Sequence, residues 1–475
     1  MHPDSLVEPH APLRRVLVYS HDTFGLGNIR RMLEVARHLV EASPRVQVLV
    51  VTGSPMLHAF RIPPRVDYIK LPCLVRDEAG RYGARSLSIG LDEVVRLRTN
   101  LIRSSIEDFA PDLILVDKKP YGVEDELAGS LAGLGAKGRR PRLMLLLRDI
   151  LDSPEATARV WRRKGYFEAI SAHYDQVLVV GCPEVFDLRH EYRFPPFAAA
   201  KVAFCGYIAR APGREPREAV RRRLGLAERE PLLLVTPGGG QDGAALVSAV
   251  LAGLALLPPS RPLRCHVVCG PEMATAQQEA LTARAATLRG VTVQTFSDDM
   301  MSLLGAADLV VSMGGYNTVC ELLTLGRRAL VVPRVRPSLE QCVRAERLAG
   351  RGLLRMLHPE QLNPVTLMSQ IQVELSALAR GDRLPEPPPT DGLARVSALI
   401  LDSIGLRPLA AEAAQGQGDE DDGEVDPCPD SEDDPEATAL SARRPGWPIR
   451  PVPAWPVGPV ARTPSSIEAA LTWRP

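Results

Sequence analysis

The sequence predicts an α/β protein of two consecutive parallel-sheet units followed by a tail without a core. Three observations carry this. Short apolar runs alternate with helical patterns from Arg14 to about Leu406, which implies parallel strands covered by helices on both faces. The alternation pauses at an Arg-, Pro- and Gly-rich stretch over residues 208–230 and then restarts. From Pro408 the composition turns acidic and Pro-rich.

In order, Arg15–Ser20 (RVLVYS) reads as a buried strand. Asn28–Glu41 places Ile29, Met32, Val35, Ala36, Leu39 and Val40 at helical spacing. Strands follow at Val46–Thr52, Leu113–Asp117, Arg142–Leu147, Gln176–Gly181 and Lys201–Tyr207, with helical patterns at Leu91–Phe109 and Val123–Leu134. One short helix, Arg217–Leu224, interrupts the connecting stretch. The second series has strands Leu232–Thr236, Leu263–Cys269, Val291–Thr295, Leu309–Ser312 and Ala329–Pro333. Its helices are Gly243–Leu257, Pro271–Leu288, Met300–Leu304, Tyr316–Leu325, Leu339–Ala349 and Pro359–Arg380, and Asp391–Ile404 could close the fold. The resulting organisation is a flexible N-terminus (1–13), a first unit (14–208), a connection (209–230), a second unit (231–407) and a tail (408–475).

The 475 residues suffice for two or three domains, and a 45% hydrophobic content permits sizeable cores. The longest mostly apolar run, Gly243–Leu257, is shorter than the ~20 residues that cross a bilayer. The N-terminus has no apolar segment after its charges, so no signal peptide is expected, and a cytoplasmic location is the default. Peripheral membrane contact stays open. The net charge of zero hides an asymmetry: residues from Pro408 onward hold 13 acidic and 5 basic side chains, which leaves 44 acidic and 52 basic before it. A mildly basic body suits an anionic small ligand, but its charge is too dispersed for a nucleic-acid partner. The tail segment GQGDEDDGEVDPCPDSEDDPE cannot bury enough apolar surface to offset ordering entropy, so it is expected to be disordered. Trp447, Trp455 and Trp473 give that tail possible anchors for a protein partner. Of eight cysteines only Cys265 and Cys269 are close, and they flank an apolar strand pattern; no zinc spacing follows, and reduced structural cysteines are expected.

Four motifs sit where strands end and helices begin, the place where open α/β sheets bind ligands. In SHDTFGLGNIRR, His21 and Asp22 lie at the strand end, and Gly25 and Gly27 form the turn. Arg30 stands where a dinucleotide fingerprint would need its third glycine, which disfavours that cofactor. In VTPGGGQDG, Gly238, Gly239 and Gly240 expose successive N–H groups before a helix, a cradle for phosphate. There is no G-K-[ST], so this is not a nucleotide-hydrolysing loop. In SMGGYNTVCELLTLG, Gly314 and Gly315 precede a helix that Asn317 or Thr318 can cap, and Glu321 lies one turn further in, able to accept bonds from a ribose diol or simply to complement the helix dipole. In RPSLEQCVRAERL, Glu340 and Gln341 open a helix and could hold sugar hydroxyls or form an ordinary first turn.

Taken in order, the last three motifs resemble the C-terminal half of a GT-B glycosyltransferase, most closely glycosyltransferase family 28. The carrying residues are TPGGG at 236–240, FSDDM at 296–300, ADLVVSMGGYNTVCE at 307–321 and the Glu340–Gln341 pair. SHDTFGLGNIRR, the aspartate of LILVDKKPYG (Asp117), LLLRDILD with Arg148 and Asp149, and FCGYI resemble a subgroup of bacterial glycosyltransferases. The resemblance covers roughly residues 14–400 and implies two facing Rossmann-like domains with a cleft between them. It implies a nucleotide diphosphate-sugar donor on the C-terminal domain, an acceptor on the N-terminal domain, and no metal or other cofactor. Glu321 would bind the ribose; Gly238–Gly240, Gly314, Gly315, Asn317 and Thr318 would surround the diphosphate; Phe296 and Met300 would line the base; Glu340 and Gln341 would contact the sugar. Asp22, Gly25, Gly27, Arg148 and Asp149 would form the acceptor side.

One position departs from the resemblance. Relatives carry G-L-G-H in the first loop, and the histidine is a candidate base; here Asn28 takes its place and cannot accept a proton. His21 or Asp117 would then deprotonate the acceptor, with Asn28 orienting it. The expected activity is transfer of a hexose-type sugar, inverting and metal-independent. The alternatives are a catalytically silent nucleotide-sugar-binding protein and a GT-B nucleotide-sugar epimerase or hydrolase.

Overall fold

A computed structural model describes residues 12–21, 27–57, 60–76, 81–135, 140–228, 230–258 and 263–408. The expected N-terminal flexibility, Asp22 and Gly25 of the first loop, and the tail from Leu409 lie outside these residues. Among the described residues no helix is long and apolar enough to cross a membrane.

The N-terminal half begins with β1 (Arg14–Ser20), α1 (Gly27–Ala42), β2 (Val46–Thr52), β3 (Val66–Lys70), the hairpin β4 (Leu74–Arg76) and β5 (Tyr82–Ala84), and α2 (Leu91–Phe109). It continues with β6 (Leu113–Asp117), α3 (Ala128–Ala132), β7 (Arg142–Arg148), α4 (Pro154–Arg163), α5 (Tyr166–His173), β8 (Gln176–Val180), α6 (Leu188–Glu191), α7 (Pro196–Ala199) and β9 (Val202–Phe204). Seven of these strands form a parallel sheet in the order β3-β2-β1-β6-β7-β8-β9. The strands are apolar on both faces because helices cover both; Val16, Val18, Leu113 and Leu115 face one core while Leu17, Tyr19, Ile114 and Val116 face another.

The C-terminal half holds α8 (Arg217–Arg223), β10 (Leu232–Thr236), α9 (Ala244–Leu254), β11 (Arg264–Val268), α10 (Thr275–Ala286), β12 (Val291–Gln294), α11 (Met300–Ala306) and β13 (Leu309–Ser312). After these come α12 (Tyr316–Leu325), β14 (Ala329–Val331), α13 (Glu340–Ala349), β15 (Arg355–Met356), α14 (Pro364–Ala379) and α15 (Gly392–Ser403). Its six strands are parallel in the order β12-β11-β10-β13-β14-β15. In each sheet the order reverses beside its first strand. The crevices at these switch points, β1/β6 and β10/β13, receive His21 and Asp117 in one half and the TPGGG and SMGG turns in the other.

Three expectations need correction. The pattern at Val123–Leu134 is not one helix: a 3-10 turn spans Val123–Asp125 and α3 begins only at Ala128. Glu124 and Asp125 have positive φ, 47° and 57°, which breaks a continuous helix. Neither Asn317 nor Thr318 caps α12; Gly315 is its N-cap, without a side-chain hydrogen bond, and both polar residues lie inside the first turn. The second unit does not keep its last helix to 407. In α15, Val396, Ile400 and Leu401 are buried with Val18, Ile29, Val35 and Leu39 of the N-terminal half. The chain reaches that position by backbone bonds from Tyr207 and Ala209 to Pro389 and Thr390.

Candidate active-site cleft

The two halves meet through α1, β6 and β7 on one side and α12 and α13 on the other. Residues at the starts of helices and the ends of parallel strands are brought together because both sheets present their carboxyl edges to this junction.

At the N-terminal switch point His21 is 2% exposed. Its backbone N–H donates to Asp117 Oδ2 at 3.3 Å, and its carbonyl accepts from Asn28 Nδ2 at 2.7 Å. Burial, reinforced by Lys118, Lys119 and Arg76, holds the imidazole well below its usual range, so it is neutral at physiological pH. Its Nδ1 is buried without a partner among the described residues. Asp117 Oδ1 accepts from Arg31 Nη2 at 2.6 Å, and both side chains are buried. Each Asp117 oxygen accepts one hydrogen bond, so the side chain ties the His21 backbone and Arg31 together at the strand ends. Arg31 Nη2 also donates to Asn28 Oδ1 at 3.3 Å. Lys118 follows Asp117 with φ of 72°, a conformation that non-glycine residues rarely keep without tertiary support. Burial, then repulsion from Arg148, pulls its ammonium pKa down to about 8.

At the C-terminal switch point two glycine turns frame the start of α9 and α12. Gly240 has φ of 95°, and a Cβ there would stand 2.3 Å from the Cys269 carbonyl oxygen, so this turn is closed to other residues. Gly314 has φ of 72°, and its Cβ would meet Val331 Cγ1 at 2.7 Å. Gly238 and Gly239 complete the first turn; Gly238 N–H donates to Thr236 Oγ1 at 3.4 Å. Glu272, whose carboxyl is pushed up by burial and then by Asp242, lies 2.8 Å from where a Gly239 Cβ would be. Phe296 is 53% exposed after β12, and Met300 opens α11. Thr318 is half-buried in the first turn of α12.

Glu321 is buried one turn into α12 and meets Arg30 Nη1 of α1 at 2.9 Å. Asn317 Nδ2 donates to the Gly27 carbonyl at 3.4 Å, and its Oδ1 accepts from Arg210 Nη2 at 2.7 Å. Glu340 accepts from Arg148 Nη1 at 2.6 Å and Arg344 Nη2 at 3.0 Å. Burial pushes the Glu340 carboxyl up, but Arg148, Arg344 and Lys118 outweigh it and hold it below the usual range. Gln341 Oε1 accepts from the Arg334 backbone N–H at 2.9 Å, while its Nε2 lies 3.9 Å from where a Gly315 Cβ would be. Asp149 is not free on the acceptor side either; it pairs with Arg344 at 2.9 Å and accepts from Tyr207 at 2.9 Å, fully buried. Tyr316 crosses the junction, donating to the Val180 carbonyl at 3.0 Å, with Arg31 and Arg344 over its ring at 5.9 and 5.5 Å.

The structure thus brings His21, Asn28, Gly27 and Asp117 to one wall. Contacts from the other half reach this side at Asn317–Gly27, Glu321–Arg30 and Glu340–Arg148, with Asp149 paired to Arg344 beside the last. Sequence reasoning missed Arg30, Arg31, Arg210 and Arg344. The signal for Arg344 was present: it lies four residues after Glu340, on the same helix face.

Residues 232–380 match the glycosyltransferase family 28 C-terminal domain. Over 176 residues the chain is 34% identical to the UDP-N-acetylglucosamine–N-acetylmuramyl-(pentapeptide) pyrophosphoryl-undecaprenol N-acetylglucosamine transferase of Burkholderia thailandensis, covering 36% of this chain and 48% of that protein. The chain spans about half the length of the curated relatives it matches. The crystal structure of Acinetobacter baumannii MurG aligns with a TM-score of 0.51 and 19% identity over 82% of this chain and 99% of that one. A putative UDP-N-acetylglucosamine 2-epimerase from Listeria monocytogenes aligns with a TM-score of 0.55 and 15% identity over 82% and 96%. The fold is GT-B, and the C-terminal half is like that of glycosyltransferase family 28.

Proposed function

We propose that the cleft transfers a sugar from a nucleotide diphosphate-sugar to a hydroxyl acceptor. One observation carries the reading: a buried carboxylate, Glu321, stands one turn behind the uncapped start of α12 at the switch point of the C-terminal sheet. A carboxylate there accepts from a ribose diol while the free N–H groups of the helix face phosphate. The first donor to test is UDP-N-acetylglucosamine, named by the matched relative.

In the proposed chemistry the acceptor oxygen forms a bond to the anomeric carbon from the face opposite the leaving group. The acceptor proton passes to a base, and the bond to the diphosphate oxygen breaks with its electron pair staying on the diphosphate. The helix start and the glycine turns stabilise that charge. His21 is the base in this scheme because its Nδ1 has no partner among the described residues; the negative diphosphate must offset the burial that otherwise holds the imidazole neutral. Asn28 holds the His21 carbonyl, so it positions the base. Inversion and independence of metal belong to the proposal, as does a resident site for the acceptor on the N-terminal half.

The fold is shared with an epimerase, so product analysis decides. Purified protein is mixed with UDP-N-acetylglucosamine and a panel of other nucleotide sugars, with and without acceptor extract, and analysed by mass spectrometry. A new glycoside with release of nucleoside diphosphate only when acceptor is present supports transfer. Sugar isomerisation or hydrolysis without acceptor contradicts it. Transfer should also persist in EDTA; loss that added metal restores would refute the metal-independent scheme.

A further inference from the structure

Glu321 is the carboxylate the proposed donor needs, yet it already has an ionic partner. Arg30 Nη1 reaches it from the other half at 2.9 Å. The contact is ionic and poorly directed, because Glu321 Oε1 has no partner in hydrogen-bond geometry among the described residues. Glu321 is 5% exposed at the side chain, whereas Arg30 is 37% exposed, so the arginine is the member free to move.

The helices around this pair are matched in register. Gly27, the first residue of α1, sits against Asn317 in the first turn of α12; three residues on, Arg30 sits against Glu321, four residues on from Asn317. The first turns of the two helices therefore lie side by side, and their dipoles add positive potential at one place. The start of α12 has no side-chain cap. Glu321 lies five residues after Tyr316, about 7.5 Å along the helix axis at 1.5 Å per residue, a distance comparable to the length of an arginine side chain. Arg210, buried beside them on Asn317, adds another cation.

We infer that Arg30 is a donor-binding residue contributed by the N-terminal half: it occupies Glu321 while the cleft is empty and pairs with the donor diphosphate once a ribose takes the carboxylate. The inference rests on the proposed donor site. The exchange keeps both charges compensated throughout. A carboxylate without its arginine would be a buried charge with no partner; the ribose hydroxyls replace that partner, and the released guanidinium meets two phosphate groups. The exchange also couples donor binding to the approach of the two halves, since Arg30 belongs to one and Glu321 to the other.

The test is calorimetric titration of the full chain with UDP, and with ADP, GDP and CDP, at several NaCl concentrations. Wild type should bind at least one of them. Arg30→Ala should weaken that binding by about 10-fold or more, the usual size of a lost charge-assisted contact. It should also reduce the dependence of affinity on salt, because one cation no longer faces the phosphates. Arg30→Lys should restore most of both. Arg30→Ala binding as tightly as wild type, or more tightly, would show that the arginine only blocks the carboxylate and overturn the exchange. Weaker binding with an unchanged salt dependence, or no recovery in Arg30→Lys, would mean a structural role and overturn it too. No binding of any diphosphate by wild type would remove the proposed donor site itself, a separate failure.

Discussion

His21 sits at the boundary between catalysis and stability. Its imidazole is held neutral chiefly by burial. Below the unfolded histidine pKa of about 6.5 the unfolded chain binds a proton that the folded chain refuses, so stability must fall as pH falls. The slope reaches about 1.4 kcal/mol per pH unit for one such group. The half-buried His38 and the buried His266 contribute in the same direction. His21→Gln should therefore lose less stability than wild type between pH 7 and pH 5 in denaturant titrations; parallel loss would remove the burial argument. The Arg344–Asp149 pair obeys a different rule. Both members are fully buried, so Asp149→Ala leaves the Arg344 guanidinium with Glu340 as its one remaining carboxylate partner and the buried Tyr207 hydroxyl without its acceptor, and should cost roughly 3–5 kcal/mol. A cost under 1 kcal/mol by the same titration would show that water reaches the seam. The Asn28 position was legible in the sequence as a departure from the resemblance, and the hydrogen bond to His21 gives it work: Asn28→Ala should slow transfer through a displaced His21, with donor affinity unchanged. Transfer by Asn28→Ala at the wild-type rate, or a matching loss of UDP affinity in calorimetry, would contradict that positioning role.

Elements that span a buried sheet were the most readable. Val46–Thr52, Leu113–Asp117, Leu232–Thr236 and Leu309–Ser312 coincide with β2, β6, β10 and β13, because strands buried on both faces are continuous apolar runs. The edge strand β3 was missed: its burial alternates weakly and its exposed Asp67 and Tyr68 break the run. The site's glycine turns were legible as a pattern, but their roles differ by packing, which no spacing reveals. Gly240 is pressed against the Cys269 carbonyl, whereas a Cβ at Gly238 meets nothing within 4 Å. Both have positive φ. Gly240→Ala should thus cost more stability than Gly238→Ala, by roughly 1–3 kcal/mol in urea unfolding, since a backbone atom must move. Equal costs would mean that the turn yields freely. Ion pairs across the junction were not legible, because partners such as Arg30 and Glu321 are almost three hundred residues apart in the chain.

At the scale of the whole molecule, the chain closes on itself. It leaves the N-terminal sheet after β9, builds the C-terminal sheet, and returns α15 to the first core. The two halves were readable from the pause near residue 220; the return was not, since an amphipathic helix carries no mark of which core it will cover. The same closure brings Gly27 and Arg30 of the first half onto Asn317 and Glu321 of the second, as the proposed transfer requires. The most direct test of the donor site is calorimetric binding of UDP-N-acetylglucosamine, or of whichever nucleotide sugar the wild type binds best, to the Glu321→Ala variant. Loss of a buried carboxylate that accepts two ribose hydroxyls should weaken binding about 10–150-fold. Undiminished affinity in a variant that folds like wild type would contradict the donor site.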